Sequence, residues 1–273
     1  MISIPACADA DRSVCRGLAV ADIRADLTAR LKSARHVVVF TGAGASAESG
    51  IPTFRDQQTG LWKNFDVQSL ATPEAFEQDP ALVWGWYEWR RLQVLASEPN
   101  AAHWAIAALA GRVEQLTLIT QNVDDLHERA GSPRVLHLHG RLCAPYCSSC
   151  RSEHPVAPPP PGADGGRRLE PPRCDRCGGR IRPGVVWFGE CLPSGAWEQS
   201  VEAARGCDAF LCVGTSSVVE PAASLTRTAI AAGAATVQVN IDSTWLDDLV
   251  TLNLRGPAAT MLPQLLAEVW PAG

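Results

Sequence analysis

Thr41 is followed by Gly42, Ala43, Gly44, Ala45 and Ser46, directly after the apolar run Val37 to Phe40. A strand ending in Gly-x-Gly sets a tight turn and brings backbone N–H groups where a pyrophosphate can approach. The common dinucleotide fingerprint has a third glycine three residues on. Ala47 stands there, so this loop is a variant. Four cysteines form two C-x-x-C pairs, Cys147 with Cys150 and Cys174 with Cys177, twenty-three residues apart. Four thiolates so spaced suit a closed tetrahedral zinc site, which leaves no open position for water and is therefore structural. Free thiols or a redox dithiol are the other reading.

Four further groups stand where apolar runs end. Gln121, Asn122 and Asp124 follow Leu116 to Thr120. An amide pair with a carboxylate there can grip a carboxamide, although Asn122 and Asp124 equally serve as loop caps. His139 and Gly140 close the run from Val135. An imidazole titrates near neutrality and can take a proton from a hydroxyl, but a lone histidine at a strand end is more often structural. Gly214, Thr215 and Ser216 follow the run ending at Val213, and Asn240 ends the next; both places suit phosphate or ribose contact. His127 and His103 read as ordinary helix or loop positions.

The elements that must position these groups alternate. Val20, Ile23, Leu27 and Leu31 recur at helical spacing before the first strand. Leu61 to Ser97 reads as Trp-rich and helical, punctuated by Pro73, Pro80 and Pro99, and Asn100 to Gly111 as a further helix. Strands are expected at Leu116–Thr120, Val135–His139, Val185–Phe188, Ala209–Val213 and Thr236–Asn240. Helices are expected at Trp197–Arg205, Pro221–Gly233 and Met261–Val269. This order predicts an α/β fold, a Rossmann-like doubly wound parallel sheet. Cys143 to Pro183, with Pro158 to Pro161 in a row, cannot pack a core alone and needs a staple. With the Trp-rich block it forms a smaller helical plus zinc-binding domain. The expected division is 21–50, 103–141 and 185–273 for the dinucleotide domain, 51–102 and 142–184 for the small domain, and 1–20 for an N-terminal tail.

Composition narrows the partners. A net charge of -5 argues against nucleic acid as the main ligand. No apolar stretch approaches the ~20 residues of a membrane span. The first residues lack a basic start and carry early acids, against a secretory signal. The Ala- and Arg-rich, Lys-poor composition suggests a bacterial, cytoplasmic protein. A monomer is expected.

Together these motifs, with Gly50, Ile51, Pro52, Thr53, Phe54 and Arg55 and the stretch Val185 to Glu190, follow sirtuin order from about Ala21 to the C-terminus. The chain resembles the sirtuins, NAD-dependent protein-lysine deacylases. Departures are the cysteine-bearing tail, the Pro-rich insert and Cys143; none falls on a motif residue. The resemblance implies that Gly42, Ala43, Gly44 and Ser46 cradle the NAD phosphates. It places Phe54, Arg55 and Trp62 on the cofactor side, with the first two on a closing loop. It gives the nicotinamide pocket to Gln121, Asn122 and Asp124, and the adenosine half to Gly214, Thr215, Ser216, Asn240 and Ala258. It makes His139 the general base, Cys147, Cys150, Cys174 and Cys177 the zinc ligands, and Val186, Trp187 and Phe188 the partners of the substrate backbone. The implied products are free lysine, nicotinamide and O-acyl-ADP-ribose. A deacetylase-dominant sirtuin, protein mono-ADP-ribosyl transfer and an NAD-sensing module are the competing readings.

Tyr87 and Arg90 are three apart and share a helix face, where a phenol and a guanidinium can hold a carboxylate. Their spacing, with Ala71 as a small pocket residue, resembles class III sirtuins. That implies removal of succinyl, malonyl or glutaryl groups from acylated lysine, with some acetyl activity.

Overall fold

The structure is a computed structural model, and it describes residues 20–52, 67–155 and 167–271. Phe54, Arg55, Trp62, the Pro158–Pro161 run and residues 1–19 lie outside the described residues.

Helix α1 (Val20–Ser33) leads into β1 (His36–Thr41). After the glycine loop come the short α2 (Gly44–Ala47), then α3 (Val67–Leu70), α4 (Pro73–Gln78), α5 (Pro80–Ala96) and α6 (Ala101–Leu109). β2 (Gln115–Thr120), α7 (Leu126–Arg129) and β3 (Val135–His137) follow. The cysteine-rich part contributes a two-stranded antiparallel ribbon, β4 (Tyr146–Cys147) with β5 (Ile181–Arg182). The chain then alternates α8 (Ser194–Gly206), β6 (Ala209–Val213), α9 (Ser224–Ala231), β7 (Ala235–Asn240), β8 (Leu252–Arg255) and α10 (Ala258–Val269).

Six strands form one parallel sheet in the order β3-β2-β1-β6-β7-β8. The expected Rossmann-like α/β fold is therefore what the chain adopts. β1 is buried on both faces, which its run of β-branched and aromatic residues requires. Val37 and Val39 pack under α1, α6 and α10, with Leu31, Ile106 and Leu262. Val38 and Phe40 face the opposite layer of α8 and α9, with Ala204 and Leu225. A third core gathers Phe76, Val83, Trp84, Trp86 and Tyr87 with Cys147, Cys174, Ile181 and Trp187, so α4, α5 and the cysteine ribbon share one apolar interior. The ribbon thus borrows helix side chains for the core it cannot supply.

Two expectations change. Val185–Phe188 does not join the sheet. It is a single extended crossing held by one antiparallel bridge to Gly140, and it turns at Phe188 and Gly189. An apolar run reads alike whether a strand or a lone buried segment carries it. The sixth strand, β8, was not expected: its Asn253 and Arg255 interrupt the apolar signal and bond Asp247 instead.

Candidate functional site

β1 lies beside both β2 and β6, and the chain leaves it in opposite directions. The loops after these strands therefore part at the carboxyl edge, the place where open α/β sheets bind ligands. Gly42 and Gly44 are needed there for a reason the spacing did not reveal. A Cβ at Gly42 would stand 2.8 Å from the Thr215 Cα, and one at Gly44 2.8 Å from the Gly214 Cα. The two loops touch, joined by Gly42 N–H to Val213 O (3.0 Å) and Gly44 N–H to Gly214 O (2.8 Å). Those two amides face protein, so any anion held here must use other donors.

Ser46 is the centre of a buried polar cluster. Its hydroxyl donates to Asp124 Oδ2 at 3.0 Å and accepts from Asn122 Nδ2 at 3.0 Å. His103 Nε2 lies 3.4 Å away. Because His103 Nδ1 accepts the Asn100 amide (3.2 Å), the ring proton belongs on Nε2 and points at Ser46. His103 is therefore no ordinary helix position. The N-cap spacing from Asn100 was the signal for it. His127 is buried beside it, with ring centroids 4.8 Å apart and Nε2 3.0 Å from Thr41 Oγ1. Burial pushes His103 down to about 4 and His127 to about 3, so both are neutral. Burial raises Asp124 against the opposing bonds from the Leu126 amide and Ser46.

Gln121 donates from Nε2 to Thr215 Oγ1 at 2.8 Å, which ties the loop after β2 to the loop after β6. Asn240 donates to Thr215 O (3.1 Å), and its Oδ1 accepts the Ile241 amide. It braces the Gly214–Ser216 turn. Ala258 is buried at the start of α10, where Glu48 accepts the Ala259 amide (2.6 Å).

His139 is half-buried, with Nδ1 3.0 Å from Gln121 O. Gly140 follows at φ +75, where a Cβ would stand 2.2 Å from Gly184 O. The chain can pass Gly184 at that point only without a side chain. Val186 N–H then donates to His139 O (2.9 Å) and Phe188 N–H to Ala71 O (2.9 Å), while Trp187 Nε1–H donates to Tyr87 OH (3.0 Å). One short segment so joins His139, Ala71 and Tyr87. Arg90 feels Tyr87 and Asp124 electrostatically; burial lowers its pKa and those two groups oppose that shift. Arg90 is thus within electrostatic reach of Asp124 on the loop after β2.

Cys147 and Cys177 sulfurs are 3.4 Å apart and those of Cys150 and Cys174 3.7 Å, with all four within 4.8 Å of one another. Zn–S bonds of ~2.3 Å in a tetrahedron put sulfurs about 3.8 Å apart, so this donor set fits zinc. Ser152 Oγ lies 3.0 Å from Cys150 Sγ and 3.5 Å from Cys174 Sγ, where a hydroxyl can steady thiolates.

The Sir2 family model matches residues 42–221, which hold both loops, His139 and all four cysteines. The chain belongs to the Sir2 family. This Sir2 chain is 57% identical over 242 residues to an NAD-dependent protein deacylase of Methylococcus capsulatus, covering 88% of this chain and 95% of that one. A solved Sir2 homologue–NAD complex matches with a TM-score of 0.82 and 43% identity, covering 90% and 93%. A Sir2–p53 peptide–NAD+ structure matches at 0.76 and 31%, covering 89% and 97%. Among the described residues, no helix of the Sir2 chain is long and apolar enough to cross a membrane.

Proposed function

We propose that this chain is an NAD-dependent protein-lysine deacylase that removes acidic acyl groups, succinyl and malonyl foremost, in preference to acetyl. The observation that carries the reading is the Val186–Phe188 segment, whose bonds gather His139, Ala71 and Tyr87 at one place. The residues present fit a dinucleotide: two touching strand-end loops, a buried Ser46–Asn122–Asp124 cluster and the Gln121–Thr215 tie.

NAD, when bound, supplies an electrophilic ribose carbon and nicotinamide as the leaving group. The chain's residues do the rest. Asn122 and Asp124 are held by Ser46, so their spare polar atoms have fixed directions. His139 donates Nδ1–H to Gln121 O, which leaves the Nε2 lone pair to take a proton from a hydroxyl. The 186–188 backbone pairs with the acylated peptide as an added strand, giving affinity with little sequence readout. Tyr87 and Arg90 meet the acyl chain's carboxylate, and the small Ala71 leaves it room. We also propose the division into a dinucleotide domain (21–50, 103–141, 185–273) and a small domain (51–102, 142–184), with the chain acting as a cytoplasmic monomer without nucleic-acid partners.

The test is mass spectrometry of matched succinyl- and acetyl-lysine peptides with and without NAD, for wild type and Arg90→Met. The expected result is NAD-dependent loss of succinyl, at least about tenfold weaker in the variant, a factor worth ~1.4 kcal/mol. Acetyl removal should change little. No acyl loss with NAD would end the deacylase reading; undiminished succinyl removal by Arg90→Met would end the carboxylate clamp.

A further inference from the structure

Arg182 lies on β5, five residues beyond Cys177, and is 6% exposed. Its guanidinium carbon stands 3.5 Å from the centre of the Trp187 ring. Its nitrogens fork onto Glu190 at 2.6 and 2.8 Å and reach Val185 O at 3.1 Å. Glu190 Oε2 in turn accepts the Trp187 backbone amide at 2.8 Å. One ion pair therefore holds Trp187 by its ring face and by its backbone.

The far edge of that ring matters. An indole N–H can only donate, so at 3.0 Å the Tyr87 oxygen accepts it. The phenol's own proton must then point along a different direction, fixed by where the indole sits. We propose that Arg182 is a positioning residue for acyl choice: by clamping Trp187 it sets the direction in which the Tyr87 hydroxyl donates. This rests on the reading of Tyr87 and Arg90 as the carboxylate clamp.

The guanidinium is suited to this task. It is planar, stacks on an aromatic face and matches a carboxylate with two parallel bonds, which lysine cannot do. The backbone of the segment has separate anchors, Val186 to His139 and Phe188 to Ala71. Loss of the clamp should therefore free the ring while sparing the strand pairing that every acylated peptide shares. A ribbon built around the metal site thus reaches the acyl pocket through a single stacked side chain.

The experiment uses the full zinc-loaded chain and compares succinyl- and acetyl-lysine peptides at saturating NAD. Arg182→Met with Glu190→Gln removes the pair without stranding a buried charge. The expected result is a rise of about tenfold in KM for the succinyl peptide. The acetyl KM and kcat should stay within about twofold, and zinc content should be unchanged. Adding Tyr87→Phe to this double variant should shift the succinyl-to-acetyl ratio no further, since coupled residues do not add. If Tyr87→Phe alone lowers the ratio and the double variant does not, the positioning role is wrong. If Tyr87→Phe alone leaves the ratio unchanged, the clamp reading fails first and takes this proposal with it. Should the double variant lose zinc or fold poorly, Arg182→Lys keeps the charge pair and carries the same test: a lower ratio supports the role, and an unchanged one overturns it.

Discussion

His139 holds its Nδ1 3.0 Å from the carbonyl oxygen of Gln121. A carbonyl only accepts, so Nδ1 carries the proton and Nε2 presents its lone pair. Burial pushes the imidazole below its ordinary 6.5, against the opposing bond to Gln121. A base works in its neutral form. The acid limb of kcat/KM against pH should therefore fall below pH 6.5. His139→Asn should lose about 10²–10⁴-fold in kcat and flatten that limb. A limb at or above 6.5, or one that survives the substitution, would contradict the assignment.

Ser46→Ala removes the acceptor of Asn122 and the donor to Asp124 in one step. Both groups stay buried, at 7% and 5% exposure, so the loss is that of unsatisfied polar groups, about 1–3 kcal/mol. Thermal unfolding should register this as a lower Tm. The KM for NAD should rise as well, because the amide and carboxylate lose their fixed directions. A variant with wild-type Tm and KM would show that the cluster organises nothing.

The limits of the sequence lie in these same residues. The glycine loop was legible because Gly-x-Gly after an apolar run has few other uses, and the cysteine pairs because thiols at that spacing have a metal geometry. The parallel sheet followed from alternation, since parallel strands need crossover connections, but the order of its strands did not. Contacts between segments distant in sequence were not legible. Gly42 meets Thr215, and His103 meets Ser46, across separations that no local pattern encodes. Val185–Phe188 misled for a related reason: Val185 and Trp187 enter the small core, while the backbone pairs only with Gly140 and single residues.

His103 and His127 make the fold acid-sensitive. Both are buried and held neutral, at about 4 and about 3 against an ordinary 6.5. Burial is the leading cause for each, and His127 is also lowered by its histidine neighbours. The unfolded chain takes up these protons at higher pH than the folded one, so stability is full above 6.5 and drains as pH falls toward 4. The His103 shift alone corresponds to a loss on the order of 3 kcal/mol across that window. Denaturant midpoints measured between pH 7.5 and 4.5 should fall, and His103→Gln should shallow the decline. A decline of equal slope in the variant would assign the acid sensitivity elsewhere.

Zinc removal should act on the small core before the sheet. The four sulfurs anchor β4 and β5, and Cys147, Cys174 and Ile181 share a core with Trp84, Trp86 and Trp187. In small zinc modules the metal contributes on the order of 10 kcal/mol, comparable to the whole stability of a domain. A strong chelator, or Cys174→Ser, should therefore loosen the ribbon and expose those indoles. The six-stranded sheet, packed on its own two cores, should persist. Tryptophan emission should shift to the red and deacylation should fall at least about tenfold, while far-UV dichroism keeps most of its amplitude. The activity should go because Val186, Trp187 and Phe188 follow β5 directly and lose their register against His139 and Ala71. Full turnover by a chain stripped of metal would break this link between ribbon and site.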